Sequence, residues 1–204
     1  MRLSTIRLLI VFAILAFAAS SAFANYVDVT VNTASLNGTD GYLYFQYTPA
    51  GGTDSTATIT NYTGGVLGTS RASEVDGSAV IGLLPGNVVF ANTNGVNDYN
   101  QQIAFGGSLD FLVLFGTPAP GGASSGSSTF SLGLYGDEFG AVPLMTSDGT
   151  LFTANLMNDG SVNTTLYTGN VSATVPEADG LWVLGMGFLG FAGVRQSRFL
   201  VCRM

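Results

Sequence analysis

The sequence predicts an all-β domain, a two-sheet, jelly-roll-like sandwich. Short apolar or β-branched runs alternate with period two, and Gly, Asn, Asp and Pro clusters punctuate them about every 8–12 residues. No run sustains a 3.6-residue period, and 28 glycines in 204 residues are too many for a helical protein.

The strands follow in order. Tyr26–Thr33 sets Val27, Val29 and Val31 on one face. Gly41–Thr48 (GYLYFQYT) and Ala57–Thr63 come next, then Ser78–Leu84 and Asn87–Ala91 on either side of Pro85-Gly86. Gln101–Phe105, Leu109–Phe115 and Thr129–Tyr135 follow. Leu109, Phe111, Val113 and Phe115 face one core, and Phe130, Leu132 and Leu134 face it from another strand. Leu151–Met157, Ser161–Thr168 and Asn170–Val175 close the domain. Asn158-Asp159-Gly160 is a hairpin signal because Asn and Gly tolerate positive φ, and Asp148-Gly149 reads as a second turn of the same kind. Thr117–Ser128 (TPAPGGASSGSS) has the composition of a flexible loop between strands.

The ends are different. Arg2 and Arg7 precede the apolar run Leu8–Ala19, and Ala22-Phe23-Ala24 supplies small residues at both positions of a cleavage site. Residues 1–24 therefore read as a secretory signal, cut after Ala24 by signal peptidase. At the other end, Val175-Pro176-Glu177 precedes an uncharged Gly-rich stretch, Gly180–Val194, and then Arg195 and Arg198. At 1.5 Å per residue that stretch spans only ~22 Å as a helix, against a hydrocarbon core of ~30 Å. Arg on its far side sets an N-out, C-in orientation, so the stretch reads as a marginal apolar helix with a cytoplasmic basic stop.

This layout of Val175, Pro176, Glu177, short apolar helix, Arg195 and Arg198, in the C-terminal segment 175–204, resembles the PEP-CTERM sorting segment in detail over residues 175–198, which implies that the helix is a transient inner-membrane anchor. Ala178 stands where the family has a second Pro, and Gln196 and Ser197 split the basic cluster. The resemblance implies processing by exosortase, an integral-membrane cysteine protease, and delivery to the outer surface or the extracellular matrix. It also implies work beside exopolysaccharide, in a biofilm setting.

Residues 25–174 form the domain between the two signals. They hold 11 acidic residues against Arg71 alone. That balance argues against nucleic acid and anionic membrane as partners of the domain, since both need clustered Lys or Arg. The chain has no His and no Lys, and its one Cys is Cys202. Ser-His-Asp and Cys-His catalysis, His- or Cys-based zinc sites, Schiff-base lysines and disulfides of the domain are thereby excluded. Carboxylate chemistry remains, with Glu74, Asp76, Asp110, Asp137 and Glu138 as the acids a glycosidase would pair. Each has a plainer reading as a turn, loop or strand-start residue, so no catalytic residue is assigned and the protein is expected not to be an enzyme. Loop Asp residues and backbone carbonyls would suit calcium, but no D-x-D-x-D-G loop exists, and no cofactor or metal ligand is assigned. The sequons at Asn37, Asn61, Asn163 and Asn170 are coincidences of an Asn- and Thr-rich composition.

The ligand candidate is an aromatic strand. Alternation puts Leu43, Phe45 and Tyr47 in the core and Tyr42, Tyr44 and Gln46 on the opposite face. Flat phenols cover the C–H faces of pyranose rings, and an amide offers hydrogen bonds, so this face suits polysaccharide. Three functions stay open: a structural or adhesive matrix component, a carbohydrate-binding module, and a carboxylate glycosidase.

Overall fold

The computed structural model describes residues 26–48, 55–70, 80–91, 97–116, 127–157 and 160–176. The two terminal signals lie outside these residues, apart from Val175 and Pro176, and so do Glu74 and Asp76. Among the described residues no helix is long and apolar enough to cross a membrane.

Alternating side chains give strands with one apolar face, and two such sheets bury those faces against each other. Twelve strands are seen among the described residues: β1 (Tyr26–Asn32), β2 (Asp40–Thr48), β3 (Thr56–Thr63), β4 (Val66–Ser70), β5 (Val80–Gly82), β6 (Val88–Ala91), β7 (Asn97–Ala104), β8 (Ser108–Gly116), β9 (Ser128–Tyr135), β10 (Thr150–Leu156), β11 (Val162–Leu166) and β12 (Val171–Thr174). They form two six-stranded antiparallel sheets, ordered β12-β1-β8-β3-β6-β5 and β11-β10-β9-β2-β7-β4. All belong to one unit, Asn25–Pro176.

The core is where the alternation put it. Val27, Val29, Val31, Leu43, Phe45, Tyr47, Phe130, Leu132 and Leu134 are fully buried, and Leu109, Phe111, Val113 and Phe115 are at most 3% exposed. Phenylalanines join the sheets: Phe45 meets Phe111 edge-on at 5.5 Å, and Phe130 meets Phe90 at 5.9 Å. Each buried ring contributes about 1.5–3 kcal/mol by leaving water, and edge-to-face pairs add to that.

β4 and the β9–β10 connection depart from the sequence reading. β4 is an unpredicted strand, because VLGTS is short, holds a glycine and follows Gly64-Gly65. A buried clamp secures it to β7, in which Gln101 Nε2 donates to the Gly68 carbonyl (3.0 Å) and Gln101 Oε1 accepts from the Tyr99 hydroxyl (2.9 Å). Asp148-Gly149 is not a tight hairpin turn. Gly149 does take positive φ, +81°, but β9 and β10 are joined by a long loop, residues 136–149. The other turn signal ends as expected at Gly160 (φ +84°), with β10 and β11 paired antiparallel from Leu156↔Val162 onward.

Candidate functional site

β2 lies between β9 and β7, so its outward face has neighbours on both sides. Tyr42 stands opposite Tyr135 and Gln102, Tyr44 opposite Gly133 and Asn100, and Gln46 opposite Ser131 and Asp98. Tyr42, Tyr44 and Gln46 are all partly exposed, on the face away from the core. The structure thus brings the three ligand candidates together on a sheet face rich in hydroxyl and amide groups.

Tyr44 has a second task. Its ring meets that of Tyr135 edge-on, with centroids 4.8 Å apart. Its hydroxyl donates to the Glu138 carbonyl, and the Tyr135 hydroxyl donates to the Asp148 carbonyl (2.8 Å). Two phenols of the sheet therefore fasten the 136–149 loop at two points. Burial, and then the nearby Asp148 carboxylate, push the Tyr135 phenol above its ordinary pKa, so it remains a donor at any physiological pH.

Glycines make room for this mount. A Cβ on Gly133 would stand 2.7 Å from the Tyr135 ring, and one on Gly149 only 2.4 Å from it. Gly140, at φ +71°, brings its backbone over both rings; a Cβ there would lie 3.6 Å from Tyr44 and 3.8 Å from Tyr135. A side chain at 133 or 149 would lift the ring that holds the loop.

The loop also braces itself. Asp137 Oδ1 accepts from the backbone N–H of Phe139 (2.8 Å) and of Ala141 (3.2 Å), and Oδ2 accepts from that of Val142. Desolvation, the largest single effect, pushes the Asp137 carboxyl up, but the N–H groups of Ala141, Phe139, Val142 and Gly140 together outweigh it and hold the carboxyl below its usual range. Gly136 N–H donates to the Val142 carbonyl (2.7 Å), and Leu144 N–H to the Leu134 carbonyl (2.9 Å). Leu144 and Met145 pack against the core, while Phe139 (76% exposed) and Val142 (52%) face water.

The remaining acids are dispersed. Asp110 lies on the outer face of the other sheet, accepting from Thr30 Oγ1 (2.7 Å) and Ser108 Oγ (3.1 Å). Asp137 and Glu138 sit in the loop on the opposite side of the sandwich, so neither can share a bond-breaking site with Asp110. Among the described residues no three His, Cys, Asp or Glu side chains gather as a metal site. Elsewhere, a shallow depression of about 370 Å³ is lined by Tyr62, Val66, Leu67 and Pro85 among others, and the Tyr62 hydroxyl is enclosed without a hydrogen-bond partner.

Sequence reasoning found the outward face of β2 and missed Phe139. The available signal was a single phenylalanine between Glu138 and Gly140, in a stretch otherwise without pattern. No protein family, curated protein or solved structure was found to match the chain.

Proposed function

We propose that this chain is a non-enzymatic surface or matrix protein, exported, sorted by exosortase and associated with extracellular polysaccharide. The export half of the reading rests on Ala22 and Ala24 at one end, and on Val175, Pro176, Glu177, Arg195 and Arg198 at the other. The polysaccharide half is carried by one observation: Tyr42 and Gln46 stand outward on a sheet face beside the partly exposed Gln102 and Ser131. That arrangement equally favours the narrower reading of a carbohydrate-binding module. Strand pairing supports a jelly-roll descent for the scaffold. β1 pairs with β8, β2 with β7 and β3 with β6, the nested pattern of a long hairpin ribbon rolled up on itself. The ribbon opens at its tip, where β4 pairs with β7 and β5 with β6.

Intact-mass analysis of the protein in fractionated cells tests the export reading. The expected mature chain begins at Asn25, lacks the apolar tail from Gly180, and is found at the surface or in the matrix. Surface protein still carrying Met1 or Cys202 would sink it. Retention on the producing cell's own exopolymer tests the binding half, with an affinity between ~1 mM and ~100 μM expected of a shallow stacking site.

A further inference from the structure

We infer that the 136–149 loop is a preformed recognition loop for neutral polysaccharide, with Phe139 as its stacking residue. This rests on the polysaccharide reading above and extends it to a residue, a loop and a class of glycan.

Displaying Phe139 to water has a cost. A phenylalanine that is 76% exposed gains nothing from burial, although the same loop tucks Leu144 and Met145 against the core. The loop is also fixed at the tip. The Asp137 carboxylate gathers the N–H groups of Phe139, Ala141 and Val142, and Tyr44 holds the carbonyl of Glu138, one residue before the ring. Phe139 is thus held out on a backbone anchored on both sides. A ligand meeting it need order little beyond one two-torsion side chain, which lowers the cost of a weak contact.

Position selects the ligand. The foot of the loop is Tyr135, the cross-strand partner of Tyr42, so the loop rises from the same sheet face that presents Tyr42 and Gln46. An aromatic ring on a loop that rises from a face carrying a phenol and an amide suits a sugar chain, whose C–H faces stack and whose hydroxyls exchange hydrogen bonds. Charge narrows the class. The described residues include seven acids (Asp28, Asp40, Asp98, Asp110, Asp137, Glu138 and Asp148) and no Lys or Arg. Such a surface repels uronate and sulfated chains, and it lacks the basic cluster that an anionic lipid surface requires. A neutral glycan carries neither penalty.

The test compares the full chain with Phe139→Ala, Phe139→Trp and Tyr42→Ala variants. Retention is measured on insoluble β-1,4-glucan and by affinity electrophoresis in soluble β-1,3-glucan, α-1,4-glucan and alginate. Sedimentation and flotation with phosphatidylcholine vesicles are run in parallel. The wild-type chain should be retained by at least one neutral glucan and not by alginate. Phe139→Ala should lose tenfold or more of that retention with an unchanged melting temperature, and Phe139→Trp should keep it. If Phe139→Ala binds like the wild type while Tyr42→Ala does not, the loop proposal is overturned and the polysaccharide reading stands. Preferential retention by alginate overturns the neutral class. A Phe139-dependent change in sedimentation or flotation reassigns the loop to self-association or lipid and overturns the proposal. If the wild-type chain is retained by no glycan, both readings fall.

Discussion

The two sheets turn unlike faces to the outside. The face of β1 and β8 carries Tyr26, Leu112 and Leu114 beside its small and acidic groups, and its best-defined feature is a local cluster in which Thr30 and Ser108 donate to Asp110. The face of β2 and β9 carries Tyr42, Tyr44 and Tyr135, and it supports a loop closed by hydrogen bonds between residues 94 and 13 positions apart in sequence. Both sheets alternate buried apolar residues with outward ones, and both outward faces include large side chains. The difference lies in what those side chains can hold. Leu112 and Leu114 offer no hydrogen-bonding group, whereas the phenols of Tyr44 and Tyr135 combine apolar surface with a hydroxyl that donates to a loop carbonyl.

Glycine substitutions separate the faces most sharply. Gly149→Ala would force a Cβ to 2.4 Å from the Tyr135 ring at a φ of +81°. It should cost about 2–4 kcal/mol of stability, through strain and displacement of a pinned ring. In β8 of the other sheet, a Cβ on Gly116 would meet chiefly the Thr56 hydroxyl, at 2.3 Å. That side chain can rotate away, so Gly116→Ala should cost no more than about 1 kcal/mol. Denaturant unfolding of the two variants checks the contrast, and equal losses would mean that the Tyr135 mount is not rigid.

Removing single polar contacts should give a smaller difference. Tyr44→Phe keeps the ring and deletes the hydrogen bond to the Glu138 carbonyl, with an expected loss of about 0.5–1.5 kcal/mol. Asp110→Asn, in the exposed cluster of the other face, should stay within about 0.5 kcal/mol. If the two variants unfold at the same denaturant concentration, the loop does not depend on its phenol anchor.

Acid should produce the smallest effect, through the Asp137 brace of the loop. The Asp137 carboxyl is held below its ordinary value in the folded chain, so its support of the loop is complete above the ordinary carboxylate range. That support fades as pH falls through the lower folded value, because the protonated group accepts less well. Backbone amide resonances of Phe139, Ala141 and Val142 should shift together in that acid window, and Asp137→Asn should abolish the transition. The absence of a joint shift at Phe139, Ala141 and Val142 would contradict the brace.

Much of this was legible in the chain because strand faces are written in local alternation. Val27, Val29 and Val31, or Leu109 through Phe115, announce an inner face without knowledge of any partner. β7 was harder. It begins at Asn97, four residues before the predicted Gln101, because its inward residues there include a buried asparagine that donates to the Ala91 carbonyl (2.7 Å). The outward set Tyr42, Tyr44 and Gln46 was legible for the same local reason. What separates Tyr44 from Tyr42 was not, since the partner of Tyr44 is a carbonyl in a loop after β9. Side-chain acceptance by Asp137 of its own loop's N–H groups was equally hidden, because the same residues also suit an ordinary solvated turn.

The position of β1 has a bearing on the order of events during folding. Its two neighbours are β8, from Ser108, and β12, from Val171. A chain that emerges amino end first exposes Val27, Val29 and Val31 with neither ladder available until most of the sequence has followed. Closure of this sheet therefore waits on the last strand, and loop-closure entropy falls on pairings that span more than half the domain. Such a chain should stay unfolded, and open to a holding chaperone or a translocation pore, for as long as its carboxyl end is withheld.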